Sequence, residues 1–156
     1  MTIFLDTNVL IELVERRQYS DYVYAILEKC TESNCSLYVS VGGFYTITYL
    51  VDRHLKQEGM NNPERLRELK SILRYILSIC DIASLSKEGI LSCINGDEFV
   101  DLEDGYQYQS ALNCGADVLL TINKKDFALV DPTLIRVMTP VEFKEELIKL
   151  KQESDD

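Results

Sequence analysis

Near the start of the chain the apolar run Ile3-Phe4-Leu5 ends on Asp6, and Thr7-Asn8 then leads into Val9-Leu10-Ile11. Such a run reads as a short strand that stops on a carboxylate and passes at once into a helix. Ligands of open α/β sheets bind at the carboxyl ends of the strands, which makes Asp6 a candidate site residue. A second acidic stretch, Asp101-Leu102-Glu103-Asp104, opens another helical pattern. A third group, Thr121, Asn123 and Asp126, follows the apolar run Val118-Leu119-Leu120. Carboxylates far apart in sequence, each at the end of an element, suggest one hard-metal site assembled by the fold.

Each of these residues also has a plainer use. Asp6 or Thr7 suits the N-cap of the helix that follows. Thr7 can cap that helix while Asn8 hydrogen-bonds and orients the Asp6 carboxylate, so both uses are compatible. Asp101, with an acidic residue three positions on, resembles a capping box. Asp104 lies one turn inside the helix, where the macrodipole favours negative charge, and it can reach the same cleft as Asp6. Glu103 is expected to point away into solvent, and Asp97 and Glu98 read as solvated loop charges. Asn123 and Asp126 serve equally well as turn formers. Asp117 precedes its strand, on the far edge of the sheet, and is excluded from the site.

The elements that must position these groups are legible. Strands are expected at 2–5, 37–41, 79–83, 117–121 and 134–138, each short and rich in Val, Ile, Leu, Tyr or Phe. Helical patterns fill 8–17, 20–32, 44–57, 86–95, 102–114 and 140–151, with Ser20 as an N-cap. The clearest helix follows Asn62-Pro63, read as an N-cap with proline at the first helical position. It carries Leu66, Leu69, Ile72, Leu73, Ile76 and Leu77 as one stripe. Strands alternating with helices give an α/β fold, a mostly parallel central sheet of about five strands with helices on both faces. One domain over 1–156 is expected, with a frayed tail at 152–156.

Composition narrows the function. No apolar run approaches the ~20 residues that span a bilayer, and Asp6 interrupts any signal-like segment, so a cytoplasmic protein is expected. The five cysteines are odd in number, lack a C-x-x-C pair and share the chain with one histidine, His54. Disulfide frameworks, zinc sites and Ser-His or Cys-His catalysis therefore have little to stand on; reduced, mostly buried thiols are expected. The net charge is −10, whereas a general nucleic-acid binder is basic. Basic residues nonetheless collect at Arg53, Arg65, Arg67, Lys70 and Arg74 and at Lys124-Lys125. The lysines could meet a phosphate backbone; for the arginines a solvated helix face is the stronger reading.

Three blocks together resemble the PIN-domain ribonucleases, especially the toxins of VapC-type toxin–antitoxin pairs. They are Leu5 through Ile11, Asp104 through Ala116, and Leu119 through Phe127, and their order and spacing fit nearly the whole chain. The resemblance implies a PIN-like fold and metal-dependent hydrolysis of RNA phosphodiester bonds. It implies Mg2+ or Mn2+ held by Asp6, Asp104 and Asp126, with Thr121 and Asn123 in support. Lys124 and Lys125 become candidates for substrate phosphate. A homodimer and a small cognate antitoxin are the implied partners beside RNA. Tyr22, Tyr24, Phe44, Tyr45 and Tyr49 are candidates for an antitoxin groove, although core packing suits most of them better.

The chain departs from the family at two places. Many members carry aspartate where Asn123 stands. The family also places a glutamate in the helix after its second strand, and Thr46 occupies that position here. A weakened site is therefore expected, and the rival reading is a PIN-fold module that binds RNA or protein. A dehalogenase-like phosphatase would need an aspartate at Asn8, and a receiver domain would need an acidic companion beside Asp6.

Overall fold

The computed structural model describes residues 1–32 and 35–154, with side chains through residue 148. Five strands form one sheet: β1 (Thr2–Leu5), β2 (Ser36–Ser40), β3 (Asp81–Ala83), β4 (Val118–Leu120) and β5 (Arg136–Met138). Their order is β3-β2-β1-β4-β5 and every pairing is parallel. The helices are α1 (Thr7–Val14), α2 (Ser20–Glu32), α3 (Val41–Gln57), α4 (Glu64–Ile79), α5 (Lys87–Asn95), α6 (Leu102–Asn113) and α7 (Pro140–Ser154). A 3-10 turn, Lys124–Phe127, follows β4. The expected α/β architecture is the one observed. Asp155 and Asp156, the end of the tail expected to fray, lie outside the described residues.

The sheet is buried on both faces, as parallel sheets are. Side chains alternate along β1. Ile3 and Leu5 join Val39, Val118 and Leu120 in one core layer, against α1, α2, α3, α4 and α7. Phe4 points the other way and packs with Leu119, Tyr108, Ala111 and Phe127 in the second layer, under α6. Because β1 is central, Asp6 is delivered to the middle of the sheet's carboxyl edge.

Several boundaries differ from the sequence reading for identifiable reasons. The second strand ends at Ser40 and α3 begins at Val41, so Gly42 and Gly43 are helical. Ser40 starts this helix, its Oγ accepting the Gly43 N–H at 2.8 Å. We expect Ser40→Ala to cost about 1 kcal/mol of stability, the usual loss for an N-cap hydroxyl, read from urea melts. Helix α1 ends at Val14 instead of residue 17, because Arg16 takes a left-handed backbone (φ 49°) and the Arg17 N–H returns to the Glu12 carbonyl. That closure is a C-cap normally given to glycine. Pro63, rather than Asn62, occupies the N-cap of α4.

Two further expectations meet the core. Cys30, Cys80 and Cys93 are buried, and burial pushes the Cys30 and Cys80 thiols up to about 12, which leaves them inert. The tyrosines go the other way. Tyr22, Tyr24, Tyr45 and Tyr49 are exposed, so the expectation that core packing takes most of them is corrected. Only Phe44 of that set packs against the core.

Candidate active site

Asp6 sits at the N-cap of α1 in extended conformation, yet its side chain makes no cap hydrogen bond. The carboxylate is turned to its neighbours instead. Its Oδ2 accepts from Asn8 Nδ2 at 2.7 Å and from Thr121 Oγ1 at 2.8 Å. Asn8 also accepts the Ile122 N–H on its Oδ1 at 3.2 Å, which fixes its amide orientation. Thr121 is fully buried and is the hub of the group: its hydroxyl accepts from Asn8 Nδ2 and from the Asn123 N–H, each at 3.1 Å. The end of β4 is thereby locked to the end of β1 around one carboxylate.

That carboxylate is almost out of water, at 3% exposure. Burial pushes its pKa from 3.8 to about 6, against the lowering pull of the Thr121, Thr7 and Asn8 hydrogen bonds. Asp104, half-buried in the first turn of α6, is also pushed to about 6. Burial is again the largest cause, and the negative charges of Asp6, Asp101, Asp126 and Glu103 follow. Asp6 follows β1, Asp126 lies in the turn after β4, and Asp101 and Asp104 open α6, which puts all four at the carboxyl edge of the sheet.

The remaining candidates have distinct places. Asp101 caps α6, its Oδ1 accepting the Glu103 N–H at 2.9 Å. Glu103 is exposed, as expected of a solvated residue, and its negative charge adds to those that raise Asp6 and Asp104. Asn123 is exposed and its side chain makes no cap bond to the turn it precedes, while Asp126 is half-buried in that turn. Lys124 pairs with Glu142 at 3.0 Å, and Glu142 in turn accepts the Thr139 N–H at 2.8 Å in a capping box of α7. Lys125 is exposed and makes no ion pair among the described residues.

Sequence reading missed a buried polar patch behind Asp6. Thr7 is buried, and in place of capping α1 its hydroxyl accepts from Gln107 Nε2 at 3.0 Å. Gly43 permits this pairing, because a Cβ there would lie 2.6 Å from Thr7 Oγ1. The available signal for Gln107 was its spacing: three residues after Asp104, it shares that face of α6. Thr46 is half-buried, one turn beyond Gly43 on α3, and does not enter the core.

Among the described residues no three acidic, histidine or cysteine side chains close on one point as a finished metal cage. The donor set nonetheless fits a partly hydrated divalent ion. Magnesium needs only one or two carboxylates and keeps several waters, and a dication offsets the burial and the like charge that hold Asp6 and Asp104 near 6. An open hollow of about 600 Å³ lined by Met1, Asp117 and Arg136 lies at the opposite, amino edge of the sheet. There Asp117 accepts the Thr2 N–H at 2.7 Å.

The hydroxyl of Thr121 holds Asp6 down toward ionisation more than any other group. We expect Thr121→Val to raise the Asp6 pKa above about 6, followed by carboxyl-carbon NMR titration. An Asp6 that titrates at the wild-type value would remove Thr121 from this role.

The family model for the PIN domain matches residues 2–125. The chain belongs to the PIN domain family. A search of curated proteins gives no match. Among solved structures the chain is similar to a chain of VapBC2 from Rickettsia felis, crystallised bound to a DNA fragment from their promoter. The TM-score is 0.65 at 18% identity, with 89% of this chain and 98% of that one covered. At that identity the likeness is one of fold.

Proposed function

We propose that the chain is a metal-dependent ribonuclease of the VapC type, the toxin of a toxin–antitoxin pair. The observation that carries the reading is Asp6, a buried carboxylate held by Asn8 and Thr121 at the carboxyl edge of the sheet, with Asp104 raised by burial and then by the Asp6 charge. A scaffold has no physical need for such a pair, since each buried carboxylate costs stability unless something positive meets it. Asp6, Asp104 and Asp126 would hold Mg2+ or Mn2+, with Asn8, Thr121, Asn123 and Asp101 keeping their elements in place. When bound, the ion activates a water and offsets charge on the scissile phosphate. Asn8 and Thr121 both donate to Oδ2 of Asp6, which keeps the carboxylate in one orientation as the ligand exchanges. Lys125, and Lys124 if it leaves Glu142, would meet the RNA backbone.

The partners in this reading are RNA, a second copy of the chain and a small antitoxin, in the cytoplasm. No helix among the described residues is long and apolar enough to cross a membrane. Incubating the pure protein with a mixed RNA pool tests the reading: fragments form with Mn2+ or Mg2+ and not with chelator. Intact RNA at millimolar metal would favour the binding module.

Thr46 supports a weakened form of the activity. With no carboxylate at that position the ion has one anionic ligand fewer, and manganese outperforms magnesium because it binds oxygen and nitrogen sites more tightly. We expect Thr46→Glu to tighten metal binding roughly tenfold and to raise cleavage, measured by calorimetric titration beside a rate assay. Unchanged affinity would mean that residue 46 does not face the ion.

A further inference from the structure

Gln107 has one feature that a packing role leaves unexplained. It is 3% exposed, and its Oε1 is a buried polar side-chain atom with no hydrogen-bond partner, the only one found among the described residues. Buried polar atoms are paired almost without exception, and a lone carbonyl oxygen weakens a fold that an apolar side chain would not. The other end of the same amide is spent, since Nε2 donates to Thr7 Oγ1 at 3.0 Å. The amide thus sits between α6 and the β1–α1 junction. Asp104 is three residues before it on α6, and Asp6 directly precedes the threonine it binds.

The Thr7 hydroxyl that it meets is given room by Gly43, since a Cβ at that position would lie 2.6 Å from Thr7 Oγ1. This is the first turn of α3, the helix on which the empty position Thr46 falls one turn later. An amide oxygen is a hard, neutral donor, the kind that magnesium, manganese and calcium accept beside carboxylates and water.

We infer that the Oε1 of Gln107 is an oxygen donor to the divalent cation held by Asp6 and Asp104. The inference rests on the metal-dependent reading above. It assigns the orphan oxygen its partner, and it explains why a polar residue is retained at a position closed to solvent.

The test is manganese binding to the full chain at pH 7.5, read as loss of the free-ion electron-spin signal and as the melting-temperature increment over each protein's own metal-free value. Gln107→Leu keeps the volume and leaves no orphan oxygen; it is expected to weaken binding by about 10- to 100-fold, the usual loss when a site's supporting groups are removed. Gln107→Glu gives the same reach with a charge. It is expected to melt lower without metal and to bind manganese about tenfold tighter, with a larger increment. A packing residue would not reverse sign in this way. Two variants that bind as wild type does would overturn the inference and leave the metal reading standing. A wild-type protein that binds no manganese would overturn both.

Discussion

Asp6→Asn is expected to abolish RNA cleavage while making the metal-free protein more stable. The two effects have one cause. The carboxylate is buried and its pKa is raised from 3.8 to about 6, so at pH 7.5 the folded chain holds a charge that the unfolded chain would hold at less cost. Asparagine is the same size, keeps an acceptor for Asn8 and Thr121, and carries no charge. The gain should be roughly 3 kcal/mol at pH 7.5, set by the raised pKa and visible in denaturant melts without metal. The loss of cleavage should exceed ~100-fold, since even groups that only support a metal ligand cost 10- to 100-fold when removed. A variant that is stabilised and still cuts would separate the buried charge from the chemistry.

The second large effect is a reversal of the pH dependence of stability by metal. Asp6 and Asp104 are both raised to about 6, chiefly by burial. A carboxyl group whose folded pKa exceeds its unfolded value keeps its proton while the unfolded chain releases one. The folded state is therefore favoured at low pH, and its stability falls as pH rises from about 4 through about 6. A divalent cation binds the ionised pair, so it competes with the protons and stabilises only above that window. Millimolar manganese should leave the melting temperature at pH 5 nearly unchanged and raise it by several degrees at pH 7.5. An equal rise at both values would point to binding elsewhere on the acidic surface.

Much of this arrangement can be read from the chain because its strands are short and buried. Ile3-Phe4-Leu5 and Val118-Leu119-Leu120 are apolar on both faces and leave little choice but a central parallel sheet, and each run stops at a polar residue of the site. The acidic head of α6 was visible for a similar reason, with Asp101 in a cap position and Asp104 within the first turn. The start of α3 was not visible. Two adjacent glycines imitate a loop, and only the Ser40 cap and the crowding of Gly43 against Thr7 account for a helix there. Gln107 escaped for another reason. A glutamine on a helix is ordinarily a surface residue, and its burial follows from where α6 crosses the β1–α1 junction.

The most direct test of the account overlays two curves on one protein: the rate of RNA cleavage against manganese concentration, and manganese binding measured calorimetrically in the same buffer at pH 7.5. The account predicts that cleavage rises with occupancy, shares its midpoint, and is absent from Asp6→Asn at every concentration. Cleavage that persists in chelator, or that reaches its full rate while the site is still empty, would contradict it.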